Sequence, residues 1–508
     1  MRFLSTLLAS ALGTLIAFGV VVLFFVLFFF TLALSGDQTP SVAPNSVLTL
    51  EIDGPIPERV SDDPFDRAFG EGPDYDLRDV QTALRKAAAD DRIQAVWLRM
   101  KGTSASWATL EEVRSALLAF RDSGKPLFAS SGEFGMGEKE FFLASAADSA
   151  FAGPITPFEL NGFTYKQFFL KGTLDRLNIE PKVVRAGKYK SAVEPLTRSD
   201  FSEPNREQLT ALLETINDQF KAGISDARGV TPEELERIAD EDAILDAQVA
   251  VERGLLDGLR YEDEVADLFR ERLGLSEGEE ISTIAIDTYN KQPFSSTGLS
   301  TTGAGSVGIV YAQGQIVTGE SPDFASGSGQ IGSSTFEAAM SDAADNPDVE
   351  AIVLRIDSPG GSATASESMW RAIERARQQK PVIVSMGTYA ASGGYYIAAP
   401  ADTIVANPTT ITGSIGVFGQ LFNMQGFFND KLGITFDEIQ TSPYADITSF
   451  TEPFSESERR LLSTSVGRTY DTFLQRVAAG RGMDTTAVQE IAQGRVWTGR
   501  DAVSVGLV

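Results

Sequence analysis

The chain has no histidine and no cysteine among its 508 residues. A Ser-His-Asp triad, a thiol nucleophile, a disulfide and a metal site built on imidazole or thiolate are therefore excluded. A hydrolase that works through a nucleophile must then find its base among lysine, aspartate, glutamate and tyrosine. A Ser-Lys pair is the established arrangement that works without imidazole.

Charged residues are also missing from the N-terminal segment between Phe3 and Gly36. Residues Leu7–Leu34 are almost continuously apolar, and this run exceeds the ~20 residues that a helix needs to cross a bilayer. It is also about twice as long as the core of a signal peptide, so we predict an uncleaved anchor, although Ala33-Leu-Ser35 weakly resembles a cleavage site. Because Arg2 precedes the run, the positive-inside rule places the rest of the chain outside the cytoplasm.

The chain as a whole is strongly acidic, with a formal net charge of −27. A charge of this sign disfavours contact with the phosphate backbone of nucleic acids and with anionic lipid surfaces. We therefore expect no nucleic-acid partner.

Two diverged copies of one unit make up most of the chain, over residues 46–260 and 306–508. The segment Ala95-Val-Trp-Leu-Arg99 of the first copy matches Ala351-Ile-Val-Leu-Arg355 of the second. The spacing between matched segments drifts by only a few residues along the whole length, which indicates a domain duplication with small insertions and deletions. The Gly/Ser/Thr-rich segment Pro293–Gly305 is typical of a linker.

Each copy alternates β-branched runs with helical patterns, which predicts βα units in a mostly parallel sheet. In the second copy the predicted strands are Ala351–Ile356, Val382–Met386 and Thr403–Val405, and the predicted helices are Ser366–Arg377 and Tyr395–Ala399. In such folds ligands collect at the carboxyl ends of the strands. The glycine turns Ser358-Pro-Gly-Gly361 and Ser392-Gly-Gly394 fall there, where backbone amides can hold an oxyanion.

The two copies keep different polar residues at this place. The second copy has Ser392, whereas the corresponding stretch of the first copy, Gly132–Glu138, carries no hydroxyl. The first copy has Lys190, which aligns with Ala445 of the second. Taken alone, Ser392 is a small residue in a tight turn and Lys190 is a solvated lysine. Their joint presence without any histidine favours one Ser-Lys site that is divided between the copies.

Four motifs carry a resemblance to a known family: Thr388-Tyr-Ala-Ala-Ser392-Gly-Gly-Tyr-Tyr396, Ile356-Asp-Ser-Pro-Gly-Gly361, Thr412-Gly-Ser-Ile-Gly416 and Tyr189-Lys-Ser-Ala-Val-Glu-Pro195. In this order they resemble the long, tandem-domain form of signal peptide peptidase A, a bacterial membrane-anchored Ser-Lys protease. The resemblance covers both copies and the anchor. It implies the α/β class, with two tandem Clp-protease/crotonase-like domains of repeated ββα units behind an N-terminal transmembrane helix.

The resemblance also implies a role for each matching residue. Ser392 would be the nucleophile, Lys190 the general base, and Ser414 the hydroxyl that positions the lysine amine. The oxyanion hole would be formed by the amides of Gly393 and Gly361, with Gly360 as the neighbour that lets the chain turn. No metal and no cofactor are expected.

A lysine base must be neutral near pH 7, so its pKa of ~10.4 must fall by roughly 3 units, at about 4 kcal/mol. Burial of the amine between two apolar domains can lower the pKa by this amount. A carboxylate beside the amine would have the opposite effect, so we expect Glu194 to point away from Lys190. Lys188 is the rival base, because on an extended segment it shares a face with Lys190.

The predicted organisation is an anchor, a domain with the lysine, a linker and a domain with the serine, over residues 1–37, 46–290, 291–305 and 306–508. The resemblance implies a homotetrameric peptidase, anchored in the bacterial inner membrane through residues 7–34, that degrades cleaved signal peptides on the periplasmic side. It leaves open whether the dyad forms within one protomer or between neighbours. The alternatives are a crotonase-type acyl-CoA enzyme, which would need neither Ser392 nor Lys190, and a non-catalytic membrane scaffold.

Overall fold

The apolar N-terminal run forms one helix, α1 (Arg2–Ser35), in a computed structural model that describes residues 2–35, 40–60, 73, 75–276, 278–300, 303, 305–321 and 329–508. Its window Ser10–Leu27 has a mean hydropathy of 2.6, and 0% of the window is buried. Length and composition therefore suit a membrane span. The predicted anchor also includes residues 1, 36 and 37, which lie outside the described residues.

The first half of the chain builds a parallel six-stranded sheet in the order β8-β4-β3-β2-β1-β9. The strands of this half are β1 (Ser46–Gly54), β2 (Ile93–Thr103), β3 (Leu127–Ser130), β4 (Ser149–Ala152), β5 (Phe158–Glu159), β6 (Glu180–Ala186), β7 (Ile244–Leu245), β8 (Gly258–Leu259) and β9 (Thr283–Ala285). The edge strand β9 comes from the segment that follows the first repeat, so this sheet extends beyond the duplicated unit.

Helices accompany the strands of the first half, and those with a buried face present apolar side chains to the core. They are α2 (Leu77–Ala89), α3 (Trp107–Arg121), α4 (Glu138–Ala144), α5 (Lys171–Leu177), α6 (Glu194–Thr197), α7 (Glu203–Arg228), α8 (Pro232–Arg237), α9 (Ala247–Glu252), α10 (Glu262–Leu273) and α11 (Ile286–Tyr289). Helix α2 illustrates the rule: Asp76 caps its N-terminus through the amide of Asp79, and Leu77, Val80 and Leu84, spaced at helical intervals, are buried in the core.

The second half repeats this plan. Its strands are β10 (Ser306–Gln313), β11 (Gln315–Val317), β12 (Gln330–Gly332), β13 (Val349–Ser358), β14 (Val382–Ala391), β15 (Thr403–Val405), β16 (Ile411–Gly413), β17 (Val417–Asn423) and β18 (Val496–Thr498). Its helices are α12 (Ser333–Asp345), α13 (Ala363–Ala376), α14 (Gly393–Ala398), α15 (Glu456–Arg481), α16 (Thr485–Ile491) and α17 (Gly499–Ser504). The sheet runs β10-β13-β14-β16-β18, with β15 also on β14, and only the β16–β18 pair among its described strands is antiparallel.

The predicted α/β class with parallel sheets is confirmed, and one predicted boundary is wrong. The sequence predicted a strand over Val382–Met386, but β14 continues to Ala391. The additional strand residues are held in the β conformation by pairing. Residues Tyr389–Ala391 pair with β16, and Ala390 also pairs with Ser358 of β13. Ser392 consequently follows a strand directly.

Strand pairing joins the two halves. Strand β6 of the first half pairs antiparallel with β17 of the second, with Ala186 opposite Val417, and helix α15 packs on both strands. The chain that leaves β6 is thereby delivered to the end of the second sheet. Within the segment predicted as the linker, Phe294–Thr297 forms a short 3-10 helix, and Lys86 Nζ lies 4.7 Å from the centre of the Phe294 ring.

Candidate active site

Ser392 lies in the sharp turn between β14 and α14. Its backbone has φ 55° and ψ −119°, a region that costs a non-glycine residue about 1–3 kcal/mol. Two hydrogen bonds hold it there: its amide donates to the Gly413 carbonyl at 2.9 Å, and its carbonyl accepts from the Tyr396 amide at 2.9 Å. The surrounding structure therefore fixes a strained turn that leaves the Ser392 side chain only partly buried, as an attacking nucleophile requires.

Lys190 reaches this serine from the first half of the chain, four residues after β6. Its Nζ lies 2.9 Å from Ser392 Oγ, 2.9 Å from Ser414 Oγ and 2.9 Å from the Ser414 carbonyl oxygen. The residue is 4% exposed, and burial lowers the pKa of its amine from 10.5 to about 7. A neutral amine has two N–H donors and one lone pair. With both donors on Ser414, the lone pair can accept the proton of the Ser392 hydroxyl.

Ser414 occupies the turn between β16 and β17. It is a non-glycine residue with φ 51°, and its amide donates to the Arg495 carbonyl at 2.7 Å. Both of its oxygens accept from Lys190, and neither carries a negative charge. The amine is therefore oriented without a carboxylate that would raise its pKa.

The two glycine turns meet beside Ser392. A Cβ on Gly360, whose φ is +98°, would lie 2.5 Å from the Gly393 nitrogen and 2.9 Å from Ser392 Cβ. The Gly360 amide donates to Ser358 Oγ at 3.1 Å, which fixes the turn. Within the described part of the chain, the amides of Gly361 and Gly393 have no backbone acceptor. These two amides are free to receive an oxyanion next to the serine.

The carboxylate of Glu194 and the amine of Lys188 lie away from the site. Glu194 is buried and accepts from Ser202 Oγ at 2.5 Å and from Asn205 Nδ2 at 3.0 Å, as the expectation that it avoids Lys190 required. Lys188 is exposed, and its Nζ lies 4.9 Å from the centre of the Tyr189 ring. Within the described residues, its amine makes no hydrogen bond to Ser392 or Ser414, whereas the Lys190 amine bonds to both.

The first sheet carries no equivalent nucleophile. Gly137 precedes α4 as Ser392 precedes α14, and Glu138 occupies the first position of the helix. The Glu138 carboxylate accepts the amides of Asn161 at 2.7 Å and of Gly162 at 2.9 Å, so these two donors are already used. The two copies therefore differ at this turn, as the sequence predicted: the second has Ser392 before its helix, and the first has Gly137.

Sequence reasoning missed two contributors. Ser358 was part of a quoted motif but received no role, although its position two residues before Gly360 is the usual place for a serine that stabilises a turn. Arg495, whose carbonyl holds the Ser414 amide, gave no signal, because it lies far from every glycine turn in the sequence.

The sequence of this chain is similar to those of known proteins over most of its length. The model of peptidase family S49 matches residues 119–276 and 374–508, more than half of the chain. The chain belongs to peptidase family S49. It is 36% identical to the serine protease SPPA, chloroplastic, of Arabidopsis thaliana over 92% of this chain and 67% of that protein. It is 35% identical to Protease 4 of Salmonella typhi over 85% of this chain and 69% of that protein. The corresponding values for Protease 4 of Haemophilus influenzae are 31%, 85% and 70%.

This S49 protein is therefore a serine peptidase. The predicted enzyme class and the predicted resemblance to the long, tandem-domain form of signal peptide peptidase A are both confirmed. The family match falls in two segments, one in each half of the chain. A crotonase-type acyl-CoA enzyme and a non-catalytic scaffold, the alternatives raised by the sequence, are not supported by these relatives.

Proposed function

We propose that this S49 peptidase cleaves peptide bonds with a dyad of Ser392 and Lys190. The observation that carries the proposal is the position of one buried amine, 2.9 Å from Ser392 Oγ and 2.9 Å from both oxygens of Ser414. As Ser392 Oγ attacks the scissile carbonyl carbon, neutral Lys190 takes the hydroxyl proton. The amides of Gly361 and Gly393 donate to the oxyanion that forms.

The second half of the reaction uses the same groups in reverse. The Lys190 ammonium gives its proton to the leaving amine nitrogen when the tetrahedral intermediate collapses to an acyl-enzyme on Ser392. Neutral Lys190 then takes a proton from the water that attacks the acyl carbon. When the second tetrahedral intermediate collapses, the bond between that carbon and Ser392 Oγ breaks, the Lys190 ammonium returns its proton to Ser392 Oγ, and the peptide leaves with its new carboxyl group. Ser414 accepts from the lysine in both protonation states, so it keeps the amine in place throughout.

We further propose that α1 anchors the enzyme and that the catalytic part faces the periplasm. The support is the length and apolarity of Ser10–Leu27, together with Arg2 as the charged side chain ahead of it. A reporter that is active only in the periplasm, fused after Val508, should be active and should stay with membranes after a high-salt wash. A soluble active reporter would indicate cleavage after Ser35, and an inactive one would indicate the opposite orientation.

The proposed substrates are hydrophobic peptides, in particular signal peptides released at the membrane. The anchor supports this choice because it holds the site near the surface where those peptides arise. The test is mass spectrometry of synthetic signal peptides incubated with the full chain in detergent, beside its Ser392→Ala form. Fragments should appear with the wild type alone. Fragments in both samples would exclude this serine as the nucleophile, and cleavage limited to polar peptides would contradict the substrate class.

We propose a homotetramer as the working assembly. An arm at the far end of β6 and β17 supports it, because α5 has no buried residue and the chain around it is apolar and open to solvent. Phe168 is 75% exposed and Ile439 is 102% exposed, and Asn178 joins the two sides of the arm by a hydrogen bond to Asp430 at 2.7 Å. Exposed apolar side chains of this size are typical of association surfaces. Light scattering in detergent should give four copies, and a monomer at working concentration would contradict the proposal.

A further inference from the structure

A four-residue segment, Gln493–Val496, lies between two turns. One carries Lys190 and is called the lysine turn (residues 187–191), and the other carries Ser414. On one side the Tyr189 amide donates to the Gln493 carbonyl at 2.9 Å. On the other side the Ser414 amide donates to the Arg495 carbonyl at 2.7 Å. Gln493 has φ 55°, so the segment is held in a conformation that an isolated peptide would avoid. The backbone of this segment thus joins the neighbour of Lys190 to the hydroxyl residue that orients its amine.

The side chain of Arg495 makes a second connection to the same lysine turn. Its guanidinium carbon lies 5.1 Å from the centre of the Tyr189 ring and 4.4 Å from the centre of the Trp497 ring. Its Nη1 donates to Glu207 Oε1 at 2.7 Å, and the Tyr189 hydroxyl donates to Glu207 Oε2 at 2.9 Å. Arg495 therefore contacts Ser414 through its backbone and Tyr189 through its side chain.

The side-chain amide of Gln208 makes a further link between the lysine turn and the segment Gln493–Val496. Its Nε2 lies 3.2 Å from the Tyr189 carbonyl oxygen and 2.9 Å from Ser191 Oγ, and its Oε1 accepts the Val496 amide at 3.1 Å. Gln208 is 2% exposed. The residues on both sides of Lys190 are thus tied to the same terminal segment by a buried polar side chain.

We propose that Arg495 is a positioning residue that, through Tyr189, holds the lysine turn against Ser414 and keeps water from the amine. This inference rests on the proposed Ser392–Lys190 dyad. Charged groups beside the lysine turn include Arg185, whose Nη1 donates to the Lys190 carbonyl at 3.2 Å, together with Lys188, Glu194, Glu207 and Arg495. Of these, Arg495 is the one whose own backbone also binds Ser414. Loss of its side chain should loosen the lysine turn while the backbone bond to Ser414 stays.

The chain offers a matched control in Arg500. Its Nη1 lies 2.9 Å from Asp218 Oδ2 and its Nη2 donates to Thr215 Oγ1 at 2.8 Å, so it joins helix α7 to α17, as Arg495 joins α7 to the segment Gln493–Val496. It makes no contact of this kind with the lysine turn. A purely structural effect of losing such a bridge should therefore be equal in Arg495→Gln and Arg500→Gln.

The experiment compares kcat, KM and the pH profile of kcat/KM for the full chain in detergent. Arg495→Gln should lower kcat about tenfold with KM nearly unchanged, because a small displacement of a base costs turnover rather than binding. The rise of kcat/KM with pH should move to higher pH by about one pH unit in this variant, because water beside the Lys190 amine favours its charged form. Arg495→Lys should recover most of the turnover, and Arg500→Gln should match the wild type. Tyr189→Phe removes one hydroxyl and should shift the pH profile of kcat/KM in the same direction. This variant replaces Arg495→Gln in the test if Arg495→Gln does not fold.

Equal pH profiles and turnover for Arg495→Gln and Arg500→Gln would overturn the inference, as would a lower kcat with an unshifted pH profile. Lys190→Ala separates this failure from that of the proposed function. If Lys190→Ala retains activity, the dyad itself is wrong. If Lys190→Ala is inactive while Arg495→Gln and Tyr189→Phe behave as the wild type, the dyad stands and only the role of Arg495 is refuted.

Discussion

The buried amine of Lys190 should make the stability of the protein depend on pH in a way that replacement by methionine removes. Burial lowers its pKa from 10.5 to about 7, and one pKa unit corresponds to about 1.4 kcal/mol. The folded state therefore disfavours the charged amine by about 5 kcal/mol. Between pH 7 and 10.5 the unfolded chain binds a proton that the folded chain does not. The free energy of unfolding should consequently rise with pH by about 1.4 kcal/mol per pH unit in this window.

Lys190→Met has no such proton, so the stability of the wild type relative to the variant should increase by about 3 kcal/mol between pH 7.5 and 9.5. The hydrogen bonds lost at Ser414 add an offset that does not depend on pH, so the slope isolates the titration. Urea unfolding of the full chain in detergent, followed by tryptophan fluorescence, measures it. Lys188→Met, which removes an exposed lysine two residues away, should keep the wild-type slope. Parallel curves for the wild type and Lys190→Met would refute a depressed pKa in the folded protein.

Three further predictions concern catalysis. Lys190→Arg should be inactive because a guanidinium does not deprotonate at working pH, whereas Lys188→Ala should keep most of its turnover; steady-state peptidase assays decide both. The kcat/KM of the wild type should rise with pH to half its maximum near pH 7, the pKa of the buried amine, and a flat profile from pH 6 to 9 with chemistry rate-limiting would contradict a neutral lysine base. Gly360→Ala would place a Cβ 2.5 Å from the Gly393 nitrogen, so kcat should fall at least about 100-fold, and unchanged turnover would show that this turn does not shape the oxyanion hole.

Chemical exclusion singled out Ser392 and Lys190 as candidates, and the roles proposed for Ser414 and the glycines came from the resemblance of local motifs. Without histidine, a serine in a glycine turn and a lysine in the other copy left few arrangements. The structure brings Ser392, Lys190 and Ser414 within hydrogen-bond distance, with Gly360, Gly361 and Gly393 alongside. A duplicated unit also predicted two similar sheets, since each copy carries its own apolar periodicity.

The pairing of strands that are distant in the sequence could not be predicted from local sequence patterns. The predicted strand ended at Met386, but β14 continues because β16, some twenty residues later, pairs with its last three residues. The pairing of β6 with β17 joins segments more than 200 residues apart, and neither sequence identifies its partner. Arg495 could not be singled out from the sequence for the same reason, since its proposed role depends on contacts with Tyr189 and Ser414 that only the folded chain makes.

The central claim is that Lys190 activates Ser392, and the rate of fluorophosphonate labelling at Ser392, followed by intact-protein mass spectrometry, tests it most directly. The wild type should take up one label at a rate that rises as pH passes 7, and Ser392→Ala should take up none. Lys190→Ala should be labelled about 10²–10⁴-fold more slowly, the usual contribution of a general base. Labelling of Lys190→Ala at the wild-type rate, or of Ser392→Ala at all, would contradict the dyad.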